Sequence, residues 1–570
     1  MKSVRITKFF LLLIILAFAS LIWRCFHLQH FRYAHYRKAS LKQRQRSEKL
    51  TPQRGAILDR RARVLAASNK FQTIFADASI IKDIKETSND LAPILDMPAH
   101  QICKTIEDDR NSRYIKLKTD ASPEQCDAVR GKFYGIGIES SWKRYYPTGP
   151  LTAQILGFTD TDGVGLDGIE LAYNSQLQGS GGENLFFADA YRRPIGLKKQ
   201  YTFASDGLGI ILTIDASIQQ FAREELLKQY KDFEAESAIA VVAEPSTGAI
   251  LAMVSLPDFD PANRNNVDPN TFRNRSVTDV FEPGSMIKPI VAAIALDNEV
   301  ISVKEKINCE KGNYRGKGFG RVNEYRDHRF GKLTVRQIII KSSNIGMAKI
   351  GQKLGKERLR RGLSLFGFGR ETGVDLPGEV TGLLRPLDKW TGYSVTRIPY
   401  GYELNVTAIQ MVRAFCILAN GGHAVEPFLV KATVSNTGEI VTEKRFAPPI
   451  GFVINPEVAK WMVQDCLVGV VNEKKNGGTG YRAKLDKWQV FGKTGTANIA
   501  KQGEKGYAEN SNLASFIAGA PAEDPAIVVL VSIRKPNGRL GKGDSGGAVA
   551  SPAAARIIQR TLEYLESHNN

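Results

Sequence analysis

Apolar residues run from Phe9 to Trp23 with Ser20 as the one interruption; Lys2, Arg5 and Lys8 precede the run and Arg24 closes it. A spanning helix takes about 20 residues. Arg24 can stretch to the interface while Cys25, Phe26 and Leu28 lengthen the apolar part, and Trp23 suits an interfacial ring. The pattern predicts a cytoplasmic tail over residues 1–8 and a transmembrane anchor over 9–28. Ala17-Phe18-Ala19 is a small-x-small site after a short apolar core, so a cleaved signal peptide is the competing reading. From Tyr33 to Lys49 basic residues with scattered apolar ones predict a helix or stalk, residues 29–50. Glycine and proline then punctuate a mixed stretch, as at 146–150 and 179–182. Gly209–Ile214 reads as a strand ended by Asp215, and Ile218–Tyr230 has helical spacing. Ser237–Val242 and Ala249–Val254 read as strands around the turn 245–248. A strand hairpin, a long helical middle and late strands predict a sheet carrying helices.

The chain has 570 residues, room for a membrane segment and two or three folded units. Its 43% hydrophobic and 24% charged residues exclude a disordered or collagen-like chain. A net charge of +19 raises nucleic acid, anionic lipid or an acidic polymer as partners. No zinc-finger spacing, RNA-recognition aromatic motif or basic zipper accompanies it, so nucleic acid is not expected. The charge is then a solvated basic surface or one facing membrane or wall polymer. None of the six cysteines forms a CxxC pair; Cys103 and Cys126 could pair in an oxidising compartment, which spacing alone does not decide. His27, His30 and His35 read as interfacial, and there is no HExxH. Arg32, Arg37, Lys38, Lys42, Arg44 and Arg46 outnumber the basic residues before the apolar run, which by count would leave the large C-terminal part in the cytoplasm. Long domains override that count, so chemistry must decide.

Three short motifs carry chemistry. Ser285-Met286-Ile287-Lys288 is an S-x-x-K. On a helix, residues three apart share a face, which sets Lys288 beside Ser285. A serine hydroxyl needs a base within hydrogen-bond reach, and a lysine serves if burial or neighbouring cations lower its pKa. Pro283-Gly284 suits a helix start, whose N–H groups can polarise an oxyanion. Alone, S-x-x-K is equally an exposed helix face. Ser342-Ser343-Asn344 offers a hydroxyl relay and an amide for substrate, or merely a helix start. Lys493-Thr494-Gly495-Thr496 after Val490-Phe491-Gly492 reads as a strand edge. The lysine and hydroxyls suit a carboxylate and the glycine permits close backbone approach; the plain alternative is a strand with a glycine bulge. The order S-x-x-K, S-x-N, K-T-G is far more specific than any one motif, and marks penicillin-recognising serine enzymes.

Over nearly its whole length after the anchor, the chain resembles a division-specific class B penicillin-binding protein. Arg54-Gly55-Ala56-Ile57-Leu58-Asp59-Arg60 is similar to that family's first pedestal motif, although Arg61-Ala62 replaces the usual Asn-Gly. Arg144-Tyr145-Tyr146-Pro147 and Gly168-Ile169-Glu170 resemble two more. The segment from Asn274 to Ser285 resembles the division branch. No glycosyltransferase domain fits before the pedestal, unlike a bifunctional class A protein.

The resemblance implies an α+β fold: a single transmembrane helix, a pedestal (dimerisation-type) domain at 51–205, and a transpeptidase domain at 206–570 with an antiparallel sheet between helices. It implies that Ser285 attacks the penultimate D-alanine carbonyl of a stem pentapeptide while Lys288 takes its proton. Ser342, Asn344 and Lys493 complete the expected catalytic set. Ser343, Thr494, Gly495 and Thr496 are the expected substrate-binding residues, with the threonines on the terminal carboxylate. The N–H groups of Ser285 and Thr496 would form the oxyanion hole. An amine of a neighbouring stem resolves the acyl-enzyme into a D-Ala–meso-diaminopimelate type crosslink, and no metal or organic cofactor is needed. Such a substrate lies outside the cytoplasm, which fixes the orientation. β-Lactams, an FtsW-type glycosyltransferase and other division proteins are the implied partners, and the septal inner membrane the implied site. The alternatives are an elongation-type transpeptidase, a D,D-carboxypeptidase or β-lactamase in which water resolves the acyl-enzyme, and a β-lactam-binding sensor or scaffold.

Overall fold

The computed structural model describes residues 2–188, 194–444, 451–501 and 506–569. Met1 of the expected tail, and the side chains of residues 41–49 in the expected stalk, lie outside the described set. Two compact units result: residues up to Gln53 with Gly179–Gly207, and Arg54–Gln178 with everything from Leu208 on.

In the first unit a helix runs over Lys2–Phe26, turns through His27–Phe31 and resumes over Tyr33–Arg44. Ser3–Phe31 is long and apolar enough to cross a membrane. The expected stalk is helical first and then extended. Gln45–Leu50 is a strand, antiparallel to Gly182–Ala188, which in turn pairs with Pro194–Thr202. Residues from both sides of the expected boundary at 50/51 therefore share one sheet.

The second unit is built on a five-stranded sheet of β1 (Ser237–Ala243), β2 (Ile250–Leu256), β3 (Phe491–Ala500), β4 (Tyr507–Ala520) and β5 (Ile527–Arg534). Its order is β2-β1-β5-β4-β3 and every neighbouring pair is antiparallel. The β1 and β2 strands read from sequence are found within two residues of their expected ends. Successive β1 residues bury on opposite faces. Ala238, Ala240 and Val242 pack with helices α1 (Ala216–Asp232) and α5 (Ser551–Asn569). Ile239, Val241 and Ala243 pack with α2 (Lys288–Asp297), α3 (Asn344–Leu365) and α4 (Ala408–Ala419). With both faces covered, the strands read as continuous apolar runs. β3 lies at the sheet's edge, so its outer N–H and C=O groups are free to meet something other than a strand.

A second sheet crosses the boundary expected at 205/206. Gly209–Leu212 pairs with Val430–Val434 on one side and, in parallel, with Ile57–Leu58 on the other. The sheet continues through Val64–Ala76 to Ile115–Lys118, and Ile136–Tyr145 also pairs with Val64–Ala76. Charges pin this junction. Arg63 donates to Asp59 and Asp215 at 2.6 Å each, and Arg61 donates to Asp215 at 3.1 Å while its guanidinium stacks 4.8 Å over the Tyr564 ring. Ala62 sits at φ 61°, where a glycine would be unstrained.

The pedestal motifs converge on one carboxylate. Glu170 is fully buried and accepts from Arg54 Nε and Arg144 Nε, both at 2.6 Å, and from the Tyr146 hydroxyl at 3.3 Å. All six cysteines are free, so Cys103 and Cys126 do not pair.

Candidate active site

Ser285 stands in a tight 3-10 turn, Gly284–Ile287, that leads into α2 at Lys288. The plain α-helix expected here starts one turn later. In a 3-10 turn residues three apart eclipse, which sets the Ser285 and Lys288 side chains one above the other. The turn packs against β3. A Cβ on Gly495 would lie 2.9 Å from Met286 Cγ and 3.2 Å from the Pro283 carbonyl, so a residue without a side chain is required for this approach. Gly495 thus faces the turn from behind and is absent from the cleft lining, contrary to its expected place on the substrate.

The Thr496 carbonyl lies 3.2 Å from the position of a Cβ on Gly284 and so points out of the sheet toward the turn. In an extended strand a residue's N–H and C=O leave by the same edge. The Thr496 N–H therefore also points toward the Ser285 turn, as an oxyanion donor must.

Lys288 is completely buried. Its amine donates to the Ser342 carbonyl at 2.6 Å, to Asn344 Oδ1 at 2.7 Å and to Ser342 Oγ at 3.1 Å. Burial pushes its pKa down to about 7, with the Glu324 carboxylate pulling the other way. Lys493, also completely buried, reaches Ser342 Oγ at 3.0 Å and the Thr494 carbonyl at 3.1 Å. Burial, and then the neighbouring Lys288, hold it well below the usual ammonium range. One hydroxyl therefore sits between two amines. A hydroxyl donates one hydrogen bond and accepts others, so Ser342 can take a proton from one lysine while giving its own to the other. Ser342 reaches this place at φ 57°, as the left-handed cap of the helix Val335–Lys341. A strained, non-glycine conformation at such a site serves positioning.

Asn344 opens α3 and holds its amide by donating Nδ2 to the Asn323 carbonyl at 3.0 Å. Ser343, expected on the substrate, is instead fully buried: it caps α3 by accepting from the Gly346 N–H and donates to Glu324. Helix geometry explains this, since the N-cap side chain must fold back onto the helix. Glu324 is one of two residues the motifs missed. Buried below α3, it also accepts from the Asn344 N–H at 2.6 Å and the Ile345 N–H at 3.4 Å. A carboxylate here satisfies the orphan donors and the positive end of the helix. It lies 18 positions before Ser342, and no spacing marks it.

A cleft of about 290 Å³ opens over Ser285, Ser342 and Asn344, with Thr494 and Thr496 on the facing strand. The Thr494 hydroxyl pairs with that of Thr479 at 2.8 Å, and Thr496 Oγ1 accepts from the Gly546 N–H at 3.2 Å. Thr479, in the turn run Gly477-Gly478-Thr479-Gly480, was also missed. The structure brings together Ser285, Lys288, Ser342, Asn344, Lys493, Thr494 and Thr496, and turns Ser343 and Gly495 away.

Residues 238–559 match the family model of the penicillin-binding protein transpeptidase domain. The chain belongs to this family. Residues 49–211 match the penicillin-binding protein dimerisation domain, which gives the class B arrangement. Among penicillin-binding proteins similar to it, the probable peptidoglycan D,D-transpeptidase PenA of Neisseria meningitidis is 32% identical, over 98% of this chain and 92% of its own length. The peptidoglycan D,D-transpeptidase FtsI of Escherichia coli is 31% identical over 91% of this chain and 85% of its own length. The structure of penicillin-binding protein 3 from Mycobacterium tuberculosis, complexed with ampicillin, superposes with a TM-score of 0.70 at 26% identity, covering 91% of this chain and 96% of the other.

Proposed function

We propose that this protein is a peptidoglycan D,D-transpeptidase, tethered to the inner membrane by its N-terminal helix, that crosslinks stem peptides at the division septum and is a target of β-lactams. The observation that carries the reading is the Ser342 hydroxyl held between two buried, charge-suppressed lysines beside the Ser285 turn. Uncharged Lys288 takes the Ser285 proton as Oγ attacks the penultimate D-alanine carbonyl. The oxyanion takes hydrogen bonds from the Ser285 and Thr496 N–H groups. Collapse breaks the C–N bond, and the departing D-alanine amine takes a proton through Ser342. In the second half an acceptor amine gives its proton to the same base as its nitrogen bonds the acyl carbon, and the C–O bond to Ser285 breaks as the base returns that proton to Oγ. A β-lactam follows the first half only, because its leaving amine stays attached and blocks the acceptor.

Fluorescent penicillin labelling with peptide mapping tests the nucleophile, and product analysis with donor and acceptor stems tests the transfer. Released tetrapeptide without crosslinked product would favour the carboxypeptidase reading.

The septal assignment is supported by the similarity to FtsI and by the 274–285 segment. As a class B protein similar to FtsI, it works with an FtsW-type glycosyltransferase, met through the anchor, the 33–49 stretch and residues 54–60. Replacing the anchor and residues 33–49 by an unrelated tether should abolish septal localisation and division while penicillin labelling persists. Normal division with the foreign tether would move the contacts elsewhere, and rounding of depleted cells would point to elongation.

A further inference from the structure

The terminal carboxylate of a donor stem must be held inside the cleft, yet the two threonines facing it are neutral. The lysines behind them are committed to Ser342, Asn344 and the Thr494 carbonyl, and burial presses both toward the uncharged amine. Three other basic side chains line the cleft: Arg326, His328 and Lys341. Two of these turn to Phe330: the Lys341 amine lies 5.8 Å over its ring and the His328 ring stands 5.3 Å away.

Arg326 differs. Its guanidinium crosses to Asp544 Oδ1 at 3.2 Å. Asp544 precedes Ser545, which lines the cleft, and lies two residues before Gly546, whose N–H bonds Thr496 Oγ1. The arm of Arg326 thus reaches from the S-x-N wall to the threonine side. Its backbone lies at φ 51° and its guanidinium stacks 5.2 Å over the Tyr325 ring, which also lines the cleft. Both partners are exposed, at 62% and 44% of their side-chain surface, and an exposed ion pair of this kind is weak and readily exchanged. An arginine stays charged at every working pH and its planar fork matches a carboxylate.

We propose that Arg326 is a specificity residue that exchanges Asp544 for the terminal carboxylate of the donor stem, supplying a permanent positive charge to it. This rests on the transferase reading above. The test measures acyl-enzyme formation by the full-length protein, as release of the terminal residue without an acceptor. Three synthetic pentapeptides are used: the natural stem, one with its terminal carboxylate made a carboxamide, and one amidated only on the upstream glutamyl carboxylate. Active sites are counted with saturating fluorescent penicillin. The wild type should prefer the terminal acid over the terminal amide, and Arg326→Gln should cut that preference about tenfold, as expected for loss of one charge-assisted pair. Arg326→Lys should restore part of it, and Asp544→Asn should increase it. An unchanged preference in Arg326→Gln, an equal loss of rate with acid and amide, or a loss confined to discrimination of the upstream carboxylate would overturn the inference while leaving the transferase reading intact. A wild-type chain that penicillin fails to label would overturn both.

Discussion

Replacing Glu324 by glutamine separates the two things this carboxylate does. It holds the start of α3 through Ser343 Oγ and the N–H groups of Asn344 and Ile345, and its charge supports the Lys288 ammonium. Glutamine keeps one acceptor oxygen and turns an NH2 group toward backbone donors. One buried donor left unpaired costs about 1–3 kcal/mol, which is the expected loss of folding stability. The electrostatic effect has a definite sign. Burial lowers Lys288 to about 7 and Glu324 opposes that, so removing the charge lowers it further. The attraction of a nearby carboxylate at an effective dielectric of about 20 is of the order of 1–2 kcal/mol. Since about 1.4 kcal/mol moves a pKa by one unit, the acid limb of activity should fall by about one pH unit. The assay is the second-order rate of acylation by a fluorescent penicillin from pH 5 to 9, with thermal unfolding alongside. A lower plateau from a displaced Asn344 is compatible with the reasoning. An acid limb that stays put or moves upward would refute it, because Lys288 would then not be the group whose uncharged form is required.

Ser285→Ala should abolish covalent penicillin labelling with the fold retained, checked by labelling and circular dichroism. Lys288→Met, which keeps much of the stem's volume, should slow acylation by at least about a hundredfold, the low end of general-base effects, measured by stopped-flow fluorescence. Glu170→Ala strands Arg54 and Arg144 in the pedestal interior and should destabilise the protein by about 3–5 kcal/mol in denaturant titration. Ala62→Gly relieves a left-handed alanine and should stabilise by about 1 kcal/mol in the same assay.

The strongest sequence signals were those enforced by local physics. β1 and β2 were readable because both faces of the sheet are covered, which leaves unbroken apolar runs between a turn that needs Gly248. The motif residues were readable because the chemistry constrains their types and the family's fold sets their order along the chain. What escaped was non-local. Ser343 and Ser342 are adjacent and chemically alike, yet one caps a helix inward and the other, in a left-handed conformation, points between the lysines; only the helix start distinguishes them. Glu324 is an ordinary acidic residue until α3 is placed above it. The domain boundaries expected from the family resemblance cut the chain into consecutive segments, while the sheets follow pairing partners far apart in the chain: Gln45–Leu50 with Gly182–Ala188, and Ile57–Leu58 with Gly209–Leu212.

That last pairing bears on how the protein is made. Ile57–Leu58 finds its neighbour Ile210–Ile211 only after some 150 further residues have been synthesised, and Gly209–Leu212 is flanked on both sides only when Val430–Val434 has followed. Closing loops of that length precedes any reward from the contacts they bring, so such sheets form slowly. On the proposed topology, with the bulk of the chain exported as it is made, the pedestal emerges first but cannot finish. It must wait, with strand edges bare, until more than two hundred residues of the catalytic part arrive. Interruption of synthesis between residues 212 and 430 should leave a fragment prone to aggregation and degradation rather than a stable half.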